Sequence, residues 1–122
     1  IQKLIDNVPI DIHTFIPYEN GKDFIVQGIG SFTLDQFGCT PEDVKGRLMS
    51  KVLPEFFNIL YDDLVNVYKT HEAKDMRFVY YRNNKVTIIS NTRIFEDIGR
   101  IFITNDNFEN SRKILWYLFL FR

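Results

Sequence analysis

The sequence predicts an α+β domain, a five-stranded antiparallel sheet with helices inserted between strands 2 and 3, followed by an apolar C-terminal helix. Three observations predict it. Two strand-like segments near the start flank Asn20-Gly21, three more near the end flank Asn83-Asn84 and Asp97 to Gly99, and the stretch between them is punctuated as helices. Two strands, several helices and three strands do not alternate as βαβ units, which argues an antiparallel rather than a parallel sheet.

Ile1 to Val8 carries Leu4, Ile5 and Val8 at helical spacing and stops at Pro9, so it reads as a short amphipathic helix lying across the sheet. Ile10, Ile12, Thr14 and Ile16 alternate with Asp11, His13 and Phe15, a period-2 strand whose isoleucine face is expected to be the better buried. On that reading His13 is a surface or interface residue. Pro17 ends the strand, Asn20-Gly21 supplies a turn with positive φ, and Phe24 to Ile29 returns.

The next stretch, Gly28 to Arg47, reads as two short helices, each closed by glycine. Gly38 supplies a left-handed C-cap, Thr40 an N-cap, Pro41 the first helical position, Asp43 the far side of a capping box, and Gly46 the stop. Leu48 to Leu53 is ambiguous. Beyond Pro54, Phe57, Leu60, Tyr61, Leu64, Val67 and Tyr68 share one face of a long helix whose other face carries Asp62, Asp63, Asn66 and Lys69.

Met76 to Tyr81 and Val86 to Phe95 are rich in β-branched and aromatic residues, and Arg100 to Thr104 makes a last strand. A tight Asn83-Asn84 turn pairs Tyr81 with Val86, Val79 with Ile88, Arg77 with Ser90 and Phe78 with Ile89. Val86, Ile88, Ser90, Thr92 and Ile94 are then expected to face the helices. The opposite face keeps Phe78, Tyr80 and Ile89 and calls for a cover, either the N-terminal helix or a partner chain, so a homodimer is expected.

Composition narrows the function. The 122 residues suit one domain, and 15 Lys+Arg against 16 Asp+Glu leave no basic footprint for nucleic acid. No run approaches the roughly 20 apolar residues of a membrane-spanning helix, so no membrane partner is expected within this segment. A single cysteine cannot close an internal disulfide, which fits a reducing compartment, and a cytoplasmic location is expected. The chain starts at Ile1 without Met, as a piece of a longer protein would.

With this layout, Phe37-Gly38-Cys39-Thr40-Pro41-Glu42-Asp43-Val44-Lys45-Gly46-Arg47 resembles the Gly-aromatic-Thr/Ser-x-Glu-Glu-hydrophobic-x-Gly-Arg segment of the PAS family. The resemblance covers roughly Ile5 to Asp106. It implies a PAS-like sensory domain over residues 1–106 and an output or linker helix over 107–122. It further implies a regulatory module, not an enzyme, that passes a ligand- or partner-induced change to an attached output domain, plausibly a sensor histidine kinase. A ligand-free module used only to dimerise or to bind partners is the alternative.

The cofactor remains unknown at this level. Flavin-binding LOV relatives place a reactive cysteine where this chain has Met49, and Cys39 stands where relatives have an aromatic, so cysteinyl-flavin chemistry is disfavoured. Cys39 reads as a small packed residue. Haem-binding relatives use a histidine where Tyr61 stands, which argues against haem; His71, on the same helical face, is the alternative of a displaced ligand, but it reads first as a last-turn histidine favoured by the helix dipole. Two histidines and one cysteine suggest no metal site, and no Ser-His-Asp order, Gly-x-Ser-x-Gly elbow or phosphate loop points to a catalytic residue.

What remains is a possible pocket between the long helix and the sheet for a small apolar or mixed ligand. Its expected lining is Leu48, Leu53, Phe57, Leu60, Tyr61, Leu64, Val79, Ile88 and Phe102, with Tyr81, Ser90 and Thr104 as polar handles. The competing expectation is a core filled by the 12 Phe and 6 Tyr. At the C-terminal end Asp106 matches the start of the family's output motif, and Ile114, Tyr117, Leu118 and Phe121 form a seam at coiled-coil spacing within a segment apolar almost all round. That tail is expected to pack on the sheet of its own or a second copy, or to continue into an effector.

Overall fold

The computed structural model describes the backbone of residues 10–82 and 84–107, and the side chains of these residues except 10, 82, 85–89 and 107. The expected helix at Ile1 to Val8, Asn83 of the expected turn, and Ile114, Tyr117, Leu118 and Phe121 of the tail lie outside the described residues.

Strands β1 (Ile10–Tyr18) and β2 (Asp23–Gly28) form the first hairpin. Helices α1 (Ser31–Phe37), α2 (Pro41–Val44), α3 (Met49–Val52) and α4 (Pro54–Thr70) follow, then β3 (Lys74–Arg82), β4 (Lys85–Asp97) and β5 (Arg100–Asn107). The five strands make one antiparallel sheet in the order β2-β1-β5-β4-β3. Among the described residues the last strand, β5, therefore sits at the centre, paired on one side with the first, β1.

The punctuation between β2 and α4 acts as the sequence implies. Gly38 caps α1 at φ 67°, with its N–H on Asp35 O and the Cys39 N–H on Leu34 O. Thr40 and Asp43 close a capping box, the Thr40 N–H lying 2.8 Å from Asp43 Oδ2, and that bond holds the Asp43 carboxyl below its ordinary value. Gly46 at φ 76° turns the chain back so that Gly46 N–H reaches Val26 O at 2.7 Å and Val26 N–H reaches Arg47 O at 2.9 Å. This hooks the segment onto β2. Asp23 adds a second tie, its carboxylate accepting from Ser50 N–H and Ser50 Oγ at the start of α3.

Helix α4 lies over the sheet through Phe56, Leu60, Leu64 and Val67, all buried. The buried aromatic of the first turn is Phe56; Phe57 is half-buried beside it, its ring 4.9 Å from that of Tyr61. Opposite them on the sheet are Phe15, Phe24, Val26, Phe78, Tyr80, Ile94, Ile101 and Ile103. Each fully buried side chain of this size contributes about 1.5–3 kcal/mol, so this layer dominates stability.

Three strand faces differ from expectation. In β1, Asp11, His13 and Phe15 point into the core and Ile12 is 55% exposed, so His13 is buried rather than at the surface. Pairing with β5 sets this: His13 sits opposite Ile103 and Phe15 opposite Ile101, both fully buried. In β5 the same alternation turns Phe102 and Thr104 to the outer face, where Phe102 stacks on Phe95 with ring centres 5.3 Å apart.

In β3 a bulge between Tyr80 and Tyr81 keeps Tyr81 opposite Val86 but moves Tyr80 opposite Ile88, Val79 opposite Ile89 and Phe78 opposite Ser90. The expected register would have turned Arg77, Val79 and Tyr81 inward. The bulge instead buries Phe78 and Tyr80 and leaves Arg77 and Tyr81 exposed, which removes a charged side chain from the core. Phe78 and Tyr80 therefore do not call for a cover on the outer face. On β4, Ser90, Thr92 and Ile94 do face the helices.

Candidate functional site

Helix α1 begins without a cap of its own. Its N-cap is Gly30, no side-chain cap bond is made there, and no acidic residue lies in its first turn. The Phe32 and Thr33 N–H groups of that turn are met instead from β1, 21 and 22 residues earlier. Asp11 accepts from Phe32 N–H at 3.2 Å and Thr33 N–H at 2.7 Å, and its Oδ2 also accepts from Thr33 Oγ1 at 2.7 Å. A buried carboxylate is tolerable here because it gains several N–H and O–H partners at a positive helix end. Gly30 leaves the room it needs, since a methyl group there would lie 2.7 Å from Asp11 Cβ and closer still to the carboxyl.

His13 continues the cluster. Gly30 N–H donates to His13 Nδ1 at 3.0 Å, while His13 Nε2 lies 2.8 Å from the Asn105 carboxamide on β5 and 3.4 Å from Thr33 Oγ1. An accepting Nδ1 means that the neutral ring carries its proton on Nε2, and that proton needs an acceptor. The structure sets Asn105 Nδ2 toward His13 and Oδ1 toward Thr92; the two ends of a carboxamide have the same shape, and the proton on Nε2 requires the reversed assignment, with the Asn105 oxygen toward His13. The other end of the amide meets Thr92 Oγ1 at 2.7 Å, which lies 3.2 Å from Ser90 Oγ. Burial pushes the His13 ring from 6.5 down to about 4, and the Asp11 charge pulls in the opposite direction.

An aromatic cluster closes the site on the helix side. The Phe56 ring meets the edge or tilted face of His13, Phe37 and Phe78 at 5.5, 5.6 and 6.0 Å, and Phe37 meets Tyr80 at 5.4 Å. Tyr80 OH donates to Glu55 at the start of α4. These rings occupy the space between α1, α4 and β3.

Of the expected pocket lining, Leu53, Leu60, Leu64 and Ser90 are buried between helix and sheet, and Leu48, Phe57 and Tyr61 are half-buried at its margin. Tyr61 OH donates to Gly21 O at 3.0 Å. Val79, Phe102 and Thr104 stand on the other face and Tyr81 is 62% exposed, because of the bulge and the β5 alternation described above. The side chain of Ile88 lies outside the described residues. Among the described residues, concavities open outside the core. One, of about 610 Å³, is bordered by the β1–β2 turn with Tyr61, Val65 and Lys69. Another, of about 780 Å³, lies over the outer sheet face by Ile12, Met76, Arg93, Thr104 and Asp106.

The remaining chemistry-bearing residues sit apart from the cluster. His71 caps α4 in the left-handed region and bonds Glu96 at 2.6 Å at the surface. Cys39 is half-buried against the core, its Sγ 3.5 Å from Phe37 O. Among the described residues no group of three or more His, Cys, Asp or Glu is placed to hold a metal ion, and no helix is long and apolar enough to cross a membrane.

Asp11, His13, Gly30, Thr33 and Asn105 were not among the expected site residues. One signal was available, a helix start at Gly30 with no capping side chain, which requires a cap from elsewhere in the fold.

No protein-family model matches the sequence, and a search of curated proteins finds no match. Solved structures do match. The photoactive yellow protein domain of the sensor histidine kinase Ppr from Rhodospirillum centenum superposes with a TM-score of 0.55 at 17% identity, over 82% of this chain and 92% of that one. The PAS domain of BvgS from Bordetella pertussis gives a TM-score of 0.54 at 14% identity over 95% and 89% of the two chains. The fold is that of a PAS domain. A domain of an HTR-like protein from Haloarcula marismortui also matches, with a TM-score of 0.54 at 12% identity over 82% of this chain and 98% of that one. In this PAS-like fold the polar chain from Asp11 to Ser90 crosses the inner face of the central strands, tying α1 to β5.

Proposed function

We propose that this PAS domain is a cytoplasmic signalling module, without catalytic activity of its own, that relays a ligand- or partner-induced change to an attached output domain, plausibly a sensor histidine kinase. The observation that carries this reading is the buried polar chain joining α1 to β5. Asn105 stands two residues before the end of β5, so a change in how α1 is held reaches the strand from which the chain continues toward residues 108–122. A hydrogen-bonded chain with alternative arrangements is the kind of element that an input can bias.

Thermal unfolding of the chain alone and with haem, flavins and a metabolite library tests the reading, together with the absorption spectrum of the purified protein. A ligand that binds the folded state raises the midpoint in proportion to its concentration over its dissociation constant. Stabilisation by a member of the set supports a small-molecule input.

A second reading, a ligand-free interaction module, is favoured by the aromatic cluster that occupies the space between helices and sheet. On this reading the chain works as a homodimer, with the outer sheet face around Ile12, Phe95 and Phe102 and the tail residues Ile114, Tyr117, Leu118 and Phe121 taking part. Truncation after Asn107 is then expected to lower stability or change association in sedimentation experiments. Unchanged behaviour contradicts a role for the tail in covering the sheet.

A further inference from the structure

We infer that His13, Asp11 and Gly30 form a proton-sensitive latch that fastens the first turn of α1 to β1, and that adding a second proton to the His13 ring releases α1 from the sheet. The latch rests on the proposed signalling role only for its meaning as an input. Its existence is a property of the domain itself.

The geometry leaves the ring one workable state. With Gly30 N–H donating to Nδ1, that nitrogen must carry no proton. A doubly protonated ring presents N–H at both positions, so donor faces donor at Gly30 and the backbone N–H loses the acceptor it has on His13. Gly30 cannot step aside toward Asp11, because the Asp11 carboxyl already fills the space where a Cβ would be. The adjacent bonds from Phe32 N–H and Thr33 N–H to Asp11 share the same turn, so α1 is loosened as a unit. Helix α1 also carries Phe37 into contact with Phe56 and Tyr80, so its release opens the aromatic cluster on that side.

The groups facing the ring are Asp11 from β1, Gly30 N–H and Thr33 Oγ1 from α1, the Asn105 amide from β5 and the edge of Phe56 from α4. Asp11 is the charged one among them. It favours the protonated ring, whereas burial opposes it and prevails.

Amide hydrogen exchange on the full 122-residue chain, followed residue by residue from pH 6.5 to below 4, tests the latch. Gly30, Phe32 and Thr33 are expected to lose protection by about tenfold or more, the worth of one net hydrogen bond. Ile94 and Ile103 in the sheet are expected to keep theirs through the same step. In His13→Asn the side-chain oxygen takes the Gly30 N–H at every pH, so the step disappears. Asp11→Asn removes the charge that favours the protonated ring, so the midpoint moves to lower pH. Loss of α1 and sheet protection together at one midpoint overturns the latch, as does a step of unchanged midpoint in both variants. The ligand screen and truncation read different properties, so failure of the signalling reading leaves this result distinguishable.

Discussion

On the central strands β1, β5 and β4 part of each face departs from the usual distribution of polarity, alongside the apolar Phe15, Ile101 and Ile103 of the inner face. Inside, between strands and helices, lie Asp11, His13, Thr92 and Asn105, all at most 9% exposed; outside stand Ile12, half exposed, and the stacked pair Phe95 and Phe102. Burial alone would favour the opposite arrangement. The inner groups are tolerated because each meets hydrogen-bond partners fixed by another element, whereas an outward isoleucine costs little. Inner polar residues thus specify how α1 sits on the sheet, and the aromatic cluster supplies the stabilising area. The outer face contributes little to either.

Substitutions on the two faces should separate these roles. The largest effect is expected for Phe56→Ala, which empties the junction of His13, Phe37 and Phe78 and should cost about 3–5 kcal/mol in denaturant unfolding. Acid comes next. His13 binds a proton more weakly folded than unfolded, so its contribution to stability is fully present above pH 6.5, falls as the pH drops toward about 4 and is constant below that. The shift corresponds to about 3 kcal/mol, read as the difference between the stability–pH curves of the parent and His13→Asn.

Gly30→Ala should cost about 1–3 kcal/mol by overpacking the Asp11 carboxyl, whereas Gly28→Ala, with open space around its added methyl, should stay within about 0.5 kcal/mol. A comparable loss at both glycines would show that the capping contact does not set the requirement at Gly30. On the outer face, Asp75→Ala breaks an exposed pair in which Arg93 Nη1 donates to both carboxylate oxygens, and should cost no more than about 1 kcal/mol. A loss as large as that of Phe56→Ala would erase the contrast between the faces.

The same contrast explains what the sequence could reveal. Element order, the Gly38 and Gly46 stops, the Thr40–Asp43 capping box and the long helix are local signals, and the structure carries them as read. The inward side of β1 is not local. Apolar alternation favours Ile12, and only partners at Gly30, Phe32, Thr33 and Asn105 make Asp11 and His13 acceptable inside. The β3 register fails for a related reason, because the bulge after Tyr80 is decided by burial of Phe78 and Tyr80 against Phe56 and Phe37 rather than by the turn. The burial of Leu60 and Leu64 follows from helix periodicity alone, because both lie on the apolar face of the long helix.

The central claim is that a neutral His13, accepting at Nδ1, sits inside the sheet and joins α1 to β5. The most direct test is nitrogen NMR of the imidazole in isotopically labelled protein, titrated from neutral pH downward. The expected result is a ring protonated on Nε2 alone that takes up its second proton at a pH of about 4. A ring protonated on Nδ1 at neutral pH, or one titrating near the ordinary 6.5, would contradict it.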